Sequence, residues 1–227
     1  LFTADSLPQA EAIARELEMK NRERQRVQAD ILRAVRDILA ADVAWAGRRS
    51  IVLAHPDWHP GVVGIVASKI VEEWNRPTVL LGVRDGVARG SARSIPEFNL
   101  YAAVEACSHM LLAYGGHEGA AGLSLDHSRI EEFRVRFEEE VRSRLGPTSP
   151  CGVVEIDGEV PLAVIDRNFV RELNRLAPFG EGNPAPLLLA SCVAVAGQPR
   201  LMGRQGQHLS FYARQGDCSV RAVGFGF

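Results

Sequence analysis

The spacing of apolar residues predicts that the chain begins with helix. Between residues 5 and 39 apolar residues recur at helical spacing, with a nearly all-polar stretch in the middle. Asp5 or Ser6 is a suitable N-cap, and Pro8 fits the first turn because the N–H groups of that turn have no partner within the helix. We predict one long or broken helix that packs against something other than its own core.

From about residue 50 the pattern alternates and predicts an α/β domain. The predicted elements are strands over 50–55, 78–83, 87–94 and 120–125 and helices over 62–74, 100–112 and 128–145. Strands that alternate with helices, separated by breakers such as Arg76-Pro77, indicate a βαβ unit. The predicted α/β domain runs from about Ser50 to Leu145.

The composition of GPTSP, residues 146–150, predicts a linker to a second domain. After it come one short helix and then mostly strands, so we expect a small strand-rich domain, with a barrel as one candidate. The glycines and prolines of APFGEGNPAP, residues 177–186, predict a rigid connection with no chemical role. The last residues still have a strand pattern, from which we expect this domain to be cut short.

Composition and charge narrow the class of protein. The 227 residues, 46% of them hydrophobic, can fill one large core or two small ones. No apolar run could span a bilayer and no signal-peptide pattern precedes the first helix, so we expect a cytoplasmic protein without a membrane partner. The four cysteines are far apart in sequence, which favours buried free thiols over a zinc site or a disulfide framework.

The net charge of −2 argues against a polyanion site spread over the whole surface, so any such site must be local. Residues 167–221 contain seven arginines and three carboxylates, which makes the C-terminal part locally basic. No P-loop, no G-x-S-x-G and no cluster able to hold a pair of divalent ions is visible.

The segment AYGGHEGAAGLSL, residues 113–125, places His117 directly after Gly115 and Gly116. Glycines let a backbone approach a ligand or present amides to an anion, and the imidazole can donate to the same oxygen. This combination is typical of phosphate sites. A turn that needs positive φ, with an exposed histidine, would produce the same pattern.

A second candidate anion site is RGSARS, which contains Arg89, Ser91, Arg93 and Ser94. Alternation along a strand would point Ser91 and Arg93 to one face, where a guanidinium and a hydroxyl can hold one phosphate together. Solvated arginines on an edge strand are the alternative.

The segment HPDWHPGVVG contains a histidine pair and two glycines. His55 and His59 are four residues apart, but a proline follows each of them and forbids a helix, so a metal pair is not expected. Gly61 and Gly64 open the next helix, where they could offer free amides to an anion or allow close packing on the sheet.

In the second domain, GRQGQHLSFYAR combines Arg204, His208 and Tyr212 in a predicted strand. Rings and cations together suit base stacking and phosphate neutralisation. An ordinary barrel strand with Phe211 pointing inward is the alternative.

With these motifs in hand, the chain resembles the C-terminal two-thirds of the RecJ family of single-strand-specific DNA exonucleases, in the DHH phosphoesterase superfamily. The matching pieces, in the family's order, are NRERQ, WHPGVVGIVASKIVEEWNRPTVLL, GSARSIPEFNLYAAV, YGGHEGAAGLSL, LAPFGEGNPAPLL and GQHLSF. GGH followed by AAG is shared by DHH-associated domains generally, whereas PFGEGNP narrows the match to RecJ-type members.

The resemblance implies a fold and a function. It implies a connecting helix over 1–47, a DHH-associated α/β domain with a mixed sheet over 48–148, and a partial oligonucleotide-binding (OB) barrel over 149–227. It also implies 5′→3′ exonuclease activity on single-stranded DNA in repair and recombination, with Mn²⁺ or Mg²⁺ ions held by an N-terminal DHH domain. No Asp-His-His occurs in this sequence, so we expect the metal ligands to lie outside this chain and the chain alone to be inactive.

The resemblance also implies roles for particular residues. His117 would act on the scissile phosphate, and the substrate-binding residues would be Arg89, Ser91, Arg93, Ser94, Gly115, Gly116, Arg204, His208 and Tyr212. Two alternatives stay open: a DHH-family phosphodiesterase for short oligonucleotides or cyclic dinucleotides, and a non-catalytic nucleic-acid-binding or scaffold protein.

Overall fold

The computed structural model describes residues 1–96, 98–146, 154–203 and 206–226. Contacts within the chain divide it into two units, Leu1–Gly152 and Val153–Phe227. Across the described residues, no helix combines the length and the apolar character that crossing a membrane requires.

The first helix, α1 (Leu7–Ala41), is continuous, with Ser6 as its N-cap and a proline in its first turn. Its apolar stripe is buried only in the C-terminal half, at Ile31, Val35 and Leu39, where α1 packs against α2 (Pro60–Trp74). The polar stretch is therefore an exposed part of one helix and not a break, because straight-chain polar residues are good helix formers.

The rest of the first unit is a five-stranded sheet with three helices. Its elements are β1 (Ile51–His55), α2, β2 (Thr78–Arg84), β3 (Val87–Arg93), α3 (Leu100–Ala106), β4 (Leu111–His117), β5 (Ala120–Asp126) and α4 (Ile130–Leu145), with 3-10 turns at Val43–Gly47, Ser108–Met110 and His127–Arg129. The strand order is β1-β2-β3-β5-β4, with β1 and β2 parallel and the other pairs antiparallel. The predicted mixed α/β sheet is confirmed.

Helices cover the two faces of this sheet unequally. On one face, strand residues pack on α3 and α4 in a core that includes Leu81, Leu125 and Phe133. On the other face, Leu80 packs on α2, whose contacts with the sheet lie mainly on β2 and β3. Because α2 stops at β3, Gly115 of β4 and other small residues beside it remain exposed on this face.

The predicted helix over 100–112 is wrong at its C-terminal end. α3 ends at Ala106, and Leu111 starts β4 after a 3-10 turn. A short apolar run such as MLL suits a helix or a strand equally, and here its leucines join a strand that pairs with β5. Gly115 and Gly116 consequently lie within an edge strand, and the turn falls at Glu118-Gly119.

The second unit is built mainly from short strands. Its elements are β6 (Gly158–Glu159), a 3-10 turn at Leu162–Val164, α5 (Arg167–Asn174), β7 (Leu188–Leu189), β8 (Ala194–Met202), β9 (His208–Gln215) and β10 (Cys218–Phe225). β8, β9 and β10 form an antiparallel sheet, and β6 pairs with β7. These strands agree with the expected OB-like character, with Leu162 and Ala213 buried.

The connection over residues 177–186 is tied to itself by hydrogen bonds. The Asn183 side chain donates to the carbonyls of Leu176 and Pro178 at 3.0 and 2.9 Å, and Gly180 and Asn183 form a two-way backbone bridge. These bonds connect successive parts of the segment, and its rigidity stays a prediction from composition.

The cysteines depart from the prediction of buried thiols. Cys107 is buried, whereas Cys192 is exposed and Cys218 is half-buried. Cys192 has φ of 54° outside the strands, where no sheet face is available to cover its thiol. Cys151 lies outside the described residues.

Candidate functional site

The strand register brings the two predicted anion motifs of the first unit onto one face of the sheet. Three rows of paired residues cross β3, β5 and β4: Arg89–Ser124–Ala113, Ser91–Gly122–Gly115 and Arg93–Ala120–His117. Directly paired residues of antiparallel strands point to the same face. Arg93 and His117 are two strand spacings apart, about 10 Å between their backbones. We call this surface the open face.

Two depressions adjoin the open face. One of about 390 Å³ includes Arg89, Gly122 and Ser124, and another of about 320 Å³, between α2 and the loop after β3, includes Arg93, Ser94 and Glu72. Arg89 and Arg93 are four strand residues apart, about 13 Å. Arg89 and Arg93 therefore offer two cations on the open face. Their separation suits a chain of phosphates better than a single small anion.

The two glycines before His117 have different reasons to be glycine. A Cβ on Gly116 would lie 2.2 Å from the carbonyl oxygen of Ala120, and its φ of 149° is one that other residues rarely adopt. A Cβ on Gly115 would have nothing within 4 Å. The fold therefore requires Gly116 but not Gly115, so the bare backbone at Gly115 leaves room for something outside the described chain.

His117 is exposed and presents one free ring nitrogen. Its Nδ1 accepts the N–H of Gly119 at 3.2 Å. A neutral imidazole that accepts at Nδ1 carries its proton on Nε2. No hydrogen-bond partner of Nε2 is found among the described residues, so this N–H is available to an oxygen of a ligand.

Arg93 is half-buried beside α2 and has no carboxylate within ion-pair distance in the described part of the chain. A Cβ on Gly64 of α2 would lie 2.8 Å from Arg93 Nη2 and 3.2 Å from Ser91 Oγ, so Gly64 allows close packing against the sheet. Burial lowers the pKa of the Arg93 guanidinium below its usual value. A partly desolvated cation without a counter-charge favours an anion beside it.

Two other predicted residues of this region differ in availability. Ser94 Oγ donates to the carbonyl of Phe98 at 2.6 Å, so its proton is used within the loop that follows β3. Its oxygen retains accepting capacity, but it can donate to a phosphate only by breaking that bond. Arg89 is exposed on the open face and accessible to solvent.

The histidines before α2 are used locally. His55 Nδ1 accepts the N–H of Asp57 at 3.2 Å, and His59 Nδ1 accepts the N–H of Gly61 at 3.1 Å. The Gly61 amide is therefore already occupied, which argues against an anion at this helix end. No group of three or more potential metal-ligating side chains occurs in the described ranges.

In the second unit, His208 and Tyr212 share one face of β9, and Phe211 lies on the opposite face. Tyr212 is paired with Arg221 and His208 with Phe225 of β10, and Tyr212 and Phe225 are 55% and 78% exposed. Arg221 Nε donates to Ser210 Oγ at 3.1 Å, which places a cation between the rings. Arg204 lies outside the described residues.

Sequence reasoning missed Arg221 and Phe225. The strands β8, β9 and β10 contain three arginines and no carboxylate, and this signal was visible in the sequence. What the sequence lacked was the register between β9 and β10. That register places Arg221 and Phe225 on the same face as Tyr212 and His208.

Comparisons with known proteins match both units. A family model for the DHHA1 domain matches residues 47–143, and one for the RecJ OB domain matches residues 156–227. The chain is similar to the single-stranded-DNA-specific exonuclease RecJ of Bacillus subtilis (strain 168), with 34% identity over 227 residues that cover 99% of this chain and 28% of that protein. It is also similar to RecJ of Thermus thermophilus, with 33% identity over 93% of this chain and 29% of that protein.

Solved structures of RecJ also match the chain. Crystal structures of Thermus thermophilus RecJ in complex with Mg²⁺ and with Mn²⁺ superpose with TM-scores of 0.75 and 0.76 at 32% identity. They cover 98% of this chain but only 36% and 34% of those chains. The chain thus spans about a third of the length of the proteins it matches, and the expected two-thirds is wrong.

Proposed function

The chain belongs to the RecJ family, whose DHHA1 and OB domains it carries, and from this premise we propose that it is the substrate-holding part of a single-stranded-DNA-specific 5′→3′ exonuclease of DNA repair and recombination. The observation that carries the proposal is the open face. There, His117 offers an available imidazole N–H, Arg93 has no carboxylate partner among the described residues, and Gly115 leaves space that the fold does not need.

The open face suits the charge changes of phosphodiester hydrolysis. Negative charge grows on the phosphate oxygens in the transition state, and donors fixed in place before the reaction stabilise it. His117 supplies an N–H and Arg93 a guanidinium, while Ser91 and Arg89 contact neighbouring phosphates, as Ser94 does once its hydroxyl leaves the Phe98 carbonyl. Gly115 and Gly116 let the DNA backbone approach β4.

A metal centre belongs to another part of the proposed enzyme. The parent's N-terminal DHH domain would hold two Mn²⁺ or Mg²⁺ ions, which would activate the attacking water. The Mg²⁺ and Mn²⁺ complexes of Thermus thermophilus RecJ support the use of a divalent metal ion by the parent. Since the described residues contain no group able to hold such an ion, we expect this chain alone not to hydrolyse DNA.

The second unit would bind other nucleotides of the same strand. Tyr212, His208 and Phe225 offer ring faces to bases, and Arg204 and Arg221 offer charge to phosphates. In this proposal residues 1–47 connect to the DHH domain, 48–148 hold the reacting end and 149–227 hold the following nucleotides. The proposed partners are single-stranded DNA and the DHH domain, the proposed compartment is the cytoplasm, and no membrane partner is proposed.

The two alternatives are less well supported. DHH-family enzymes for short oligonucleotides or cyclic dinucleotides share the GGH element but lack the OB domain, which here matches residues 156–227. A scaffold protein would have no use for an available His117 N–H beside the unfilled space at Gly115, and a non-catalytic nucleic-acid-binding protein is distinguished by the effect of His117→Ala on kcat in the parent.

Binding of labelled single-stranded DNA at several salt concentrations tests the proposal. Each phosphate neutralised on a single strand contributes about 0.7 to the slope of log K against log salt. We expect Arg93→Ala to lower the slope by about that amount, and Arg33→Ala, an exposed residue on α1, to leave it unchanged. Equal slopes for all three proteins would contradict the assignment of Arg93.

A further inference from the structure

One peptide unit at the tip of the β4–β5 hairpin connects His117 to the start of α3. The N–H of Gly119 donates to Nδ1 of His117 at 3.2 Å. The carbonyl of Glu118, at the other end of the same peptide, accepts the N–H of Leu100 at 3.0 Å. In a planar trans peptide the C=O and N–H point in opposite directions, so holding the carbonyl also aims the N–H.

The tip is held by a second bond on its other side. The carbonyl of Gly119 accepts the N–H of Ser94 at 3.1 Å. Ser94 directly follows Arg93 of β3, and its hydroxyl is bonded to the carbonyl of Phe98 in the same loop. Leu100 is fully buried at the first position of α3, where a helix N–H has no partner within its own helix.

We propose that the Glu118–Gly119 peptide is a positioning element that keeps His117 in the Nε2–H tautomer. With its lone pair on Nδ1 engaged, the neutral ring carries its proton on Nε2 and presents a donor to the open face. In the other tautomer Nε2 would present a lone pair, which a phosphate oxygen repels. That the acceptor is a phosphate oxygen rests on the proposed function, whereas the fixed tautomer of His117 does not.

Two substitutions at Gly119 distinguish the effect of losing its N–H from the effect of adding a side chain. Gly119→Pro removes the N–H. Gly119→Ala keeps it, since its Cβ would lie 3.5 Å from Cε1 of His117, an ordinary contact, at a φ that does not require glycine. His55 and His59 have the same kind of bond to the amide two residues ahead and serve as internal references.

The experiment is a long-range ¹H–¹⁵N correlation of the histidine rings in the full chain at pH about 8, above the ordinary pKa of free histidine. His117→Gln identifies the His117 signals by their loss. We expect a protonated Nε2 and an unprotonated Nδ1 in the unsubstituted chain and in Gly119→Ala. In Gly119→Pro both nitrogens should shift toward the averaged values of a freely exchanging ring, with His55 and His59 unchanged.

A protonated Nδ1 in the unsubstituted chain would overturn the proposal, as would a Gly119→Pro spectrum that keeps the original pattern. If the proline variant fails to fold, scalar coupling across the bond from Gly119 N to His117 Nδ1 decides, and its absence counts against the proposal. A DNA titration of the same samples separates the two claims. A fixed tautomer without DNA binding supports the positioning role and contradicts the substrate, whereas His117-dependent binding with exchanging tautomers contradicts the positioning role alone.

Discussion

Alanine substitutions at the two adjacent glycines should have opposite effects on the stability of the first unit. At Gly116, alanine would place its Cβ 2.2 Å from the Ala120 carbonyl, in backbone that the paired strand cannot easily move. At Gly115, alanine would meet nothing within 4 Å. We therefore expect Gly116→Ala to destabilise the hairpin and Gly115→Ala to leave it intact.

The expected magnitudes follow from the backbone. A non-glycine residue at the φ of Gly116 costs about 1–3 kcal/mol, and relief of the clash adds to this cost. Each kcal/mol lowers the melting temperature of a unit of this size by about 2–4 °C. Alanine at Gly115 restricts the unfolded chain without strain in the folded state, so stability should stay equal or rise by up to about 1 kcal/mol.

Thermal and urea unfolding of the full chain, followed by circular dichroism, measure both variants against the unsubstituted protein. Gly47→Ala is a matched control, because its Cβ would also have nothing within 4 Å and it lies in a 3-10 turn before β1. Equal losses of stability at Gly115 and Gly116 would refute the reasoning, since the fold would then need both glycines.

A larger side chain at Gly115 tests the ligand part of the same prediction. Gly115→Val should fill the space beside Gly122 on the open face and weaken binding of single-stranded DNA, while Gly47→Val should not. The folded fraction is checked on the same samples. Unchanged affinity in Gly115→Val would show that the bare backbone at this position faces no ligand.

Three further outcomes are expected. In a parent protein that includes its DHH domain, His117→Ala should lower kcat by about 10²–10³, as loss of one transition-state donor does, and change KM less; an unchanged kcat would remove His117 from the reaction. The chain alone with Mn²⁺ should leave end-labelled single-stranded DNA intact on a gel. Progressive digestion would contradict the expectation that the metal ligands lie outside this chain. Burial, with a smaller effect of Glu140, raises the pKa of the Cys107 thiol to about 11, whereas an unfolded thiol ionises near pH 8.5–9. Stability should therefore fall as pH rises from about 9 to 11, and urea midpoints should show a smaller fall in Cys107→Ala; the same fall in both proteins would contradict this.

The local sequence pattern was sufficient to predict most helices and strands. It also predicted the part of the candidate site that lies on β3. Alternation along a strand already predicted that Ser91 and Arg93 share a face, and β3 has them so. It could not predict that β5 would lie between β3 and β4, because strand order depends on packing between distant segments. The row that joins Arg93 to His117 could therefore be seen only in the folded structure.

The errors arose where one pattern has two physical solutions. The apolar run before β4 suits a helix or a strand, and packing selected the strand. A cysteine between strands can be covered or exposed, and at Cys192 no element covers it. Ser94 is a different case, because its hydroxyl donates to the loop and its contact with a phosphate stays a prediction.

The segment Gly115-Gly116-His117 shows why such ambiguity is greatest at a functional site. In sequence the two glycines are equivalent, because each could serve the approach of a ligand or a turn that needs positive φ. The structure separates a requirement of the chain itself, at Gly116, from free space on the open face, at Gly115. A loss of activity on substitution of Gly116 would therefore report on the hairpin that carries His117, and only Gly115 can report on the ligand without disturbing the fold.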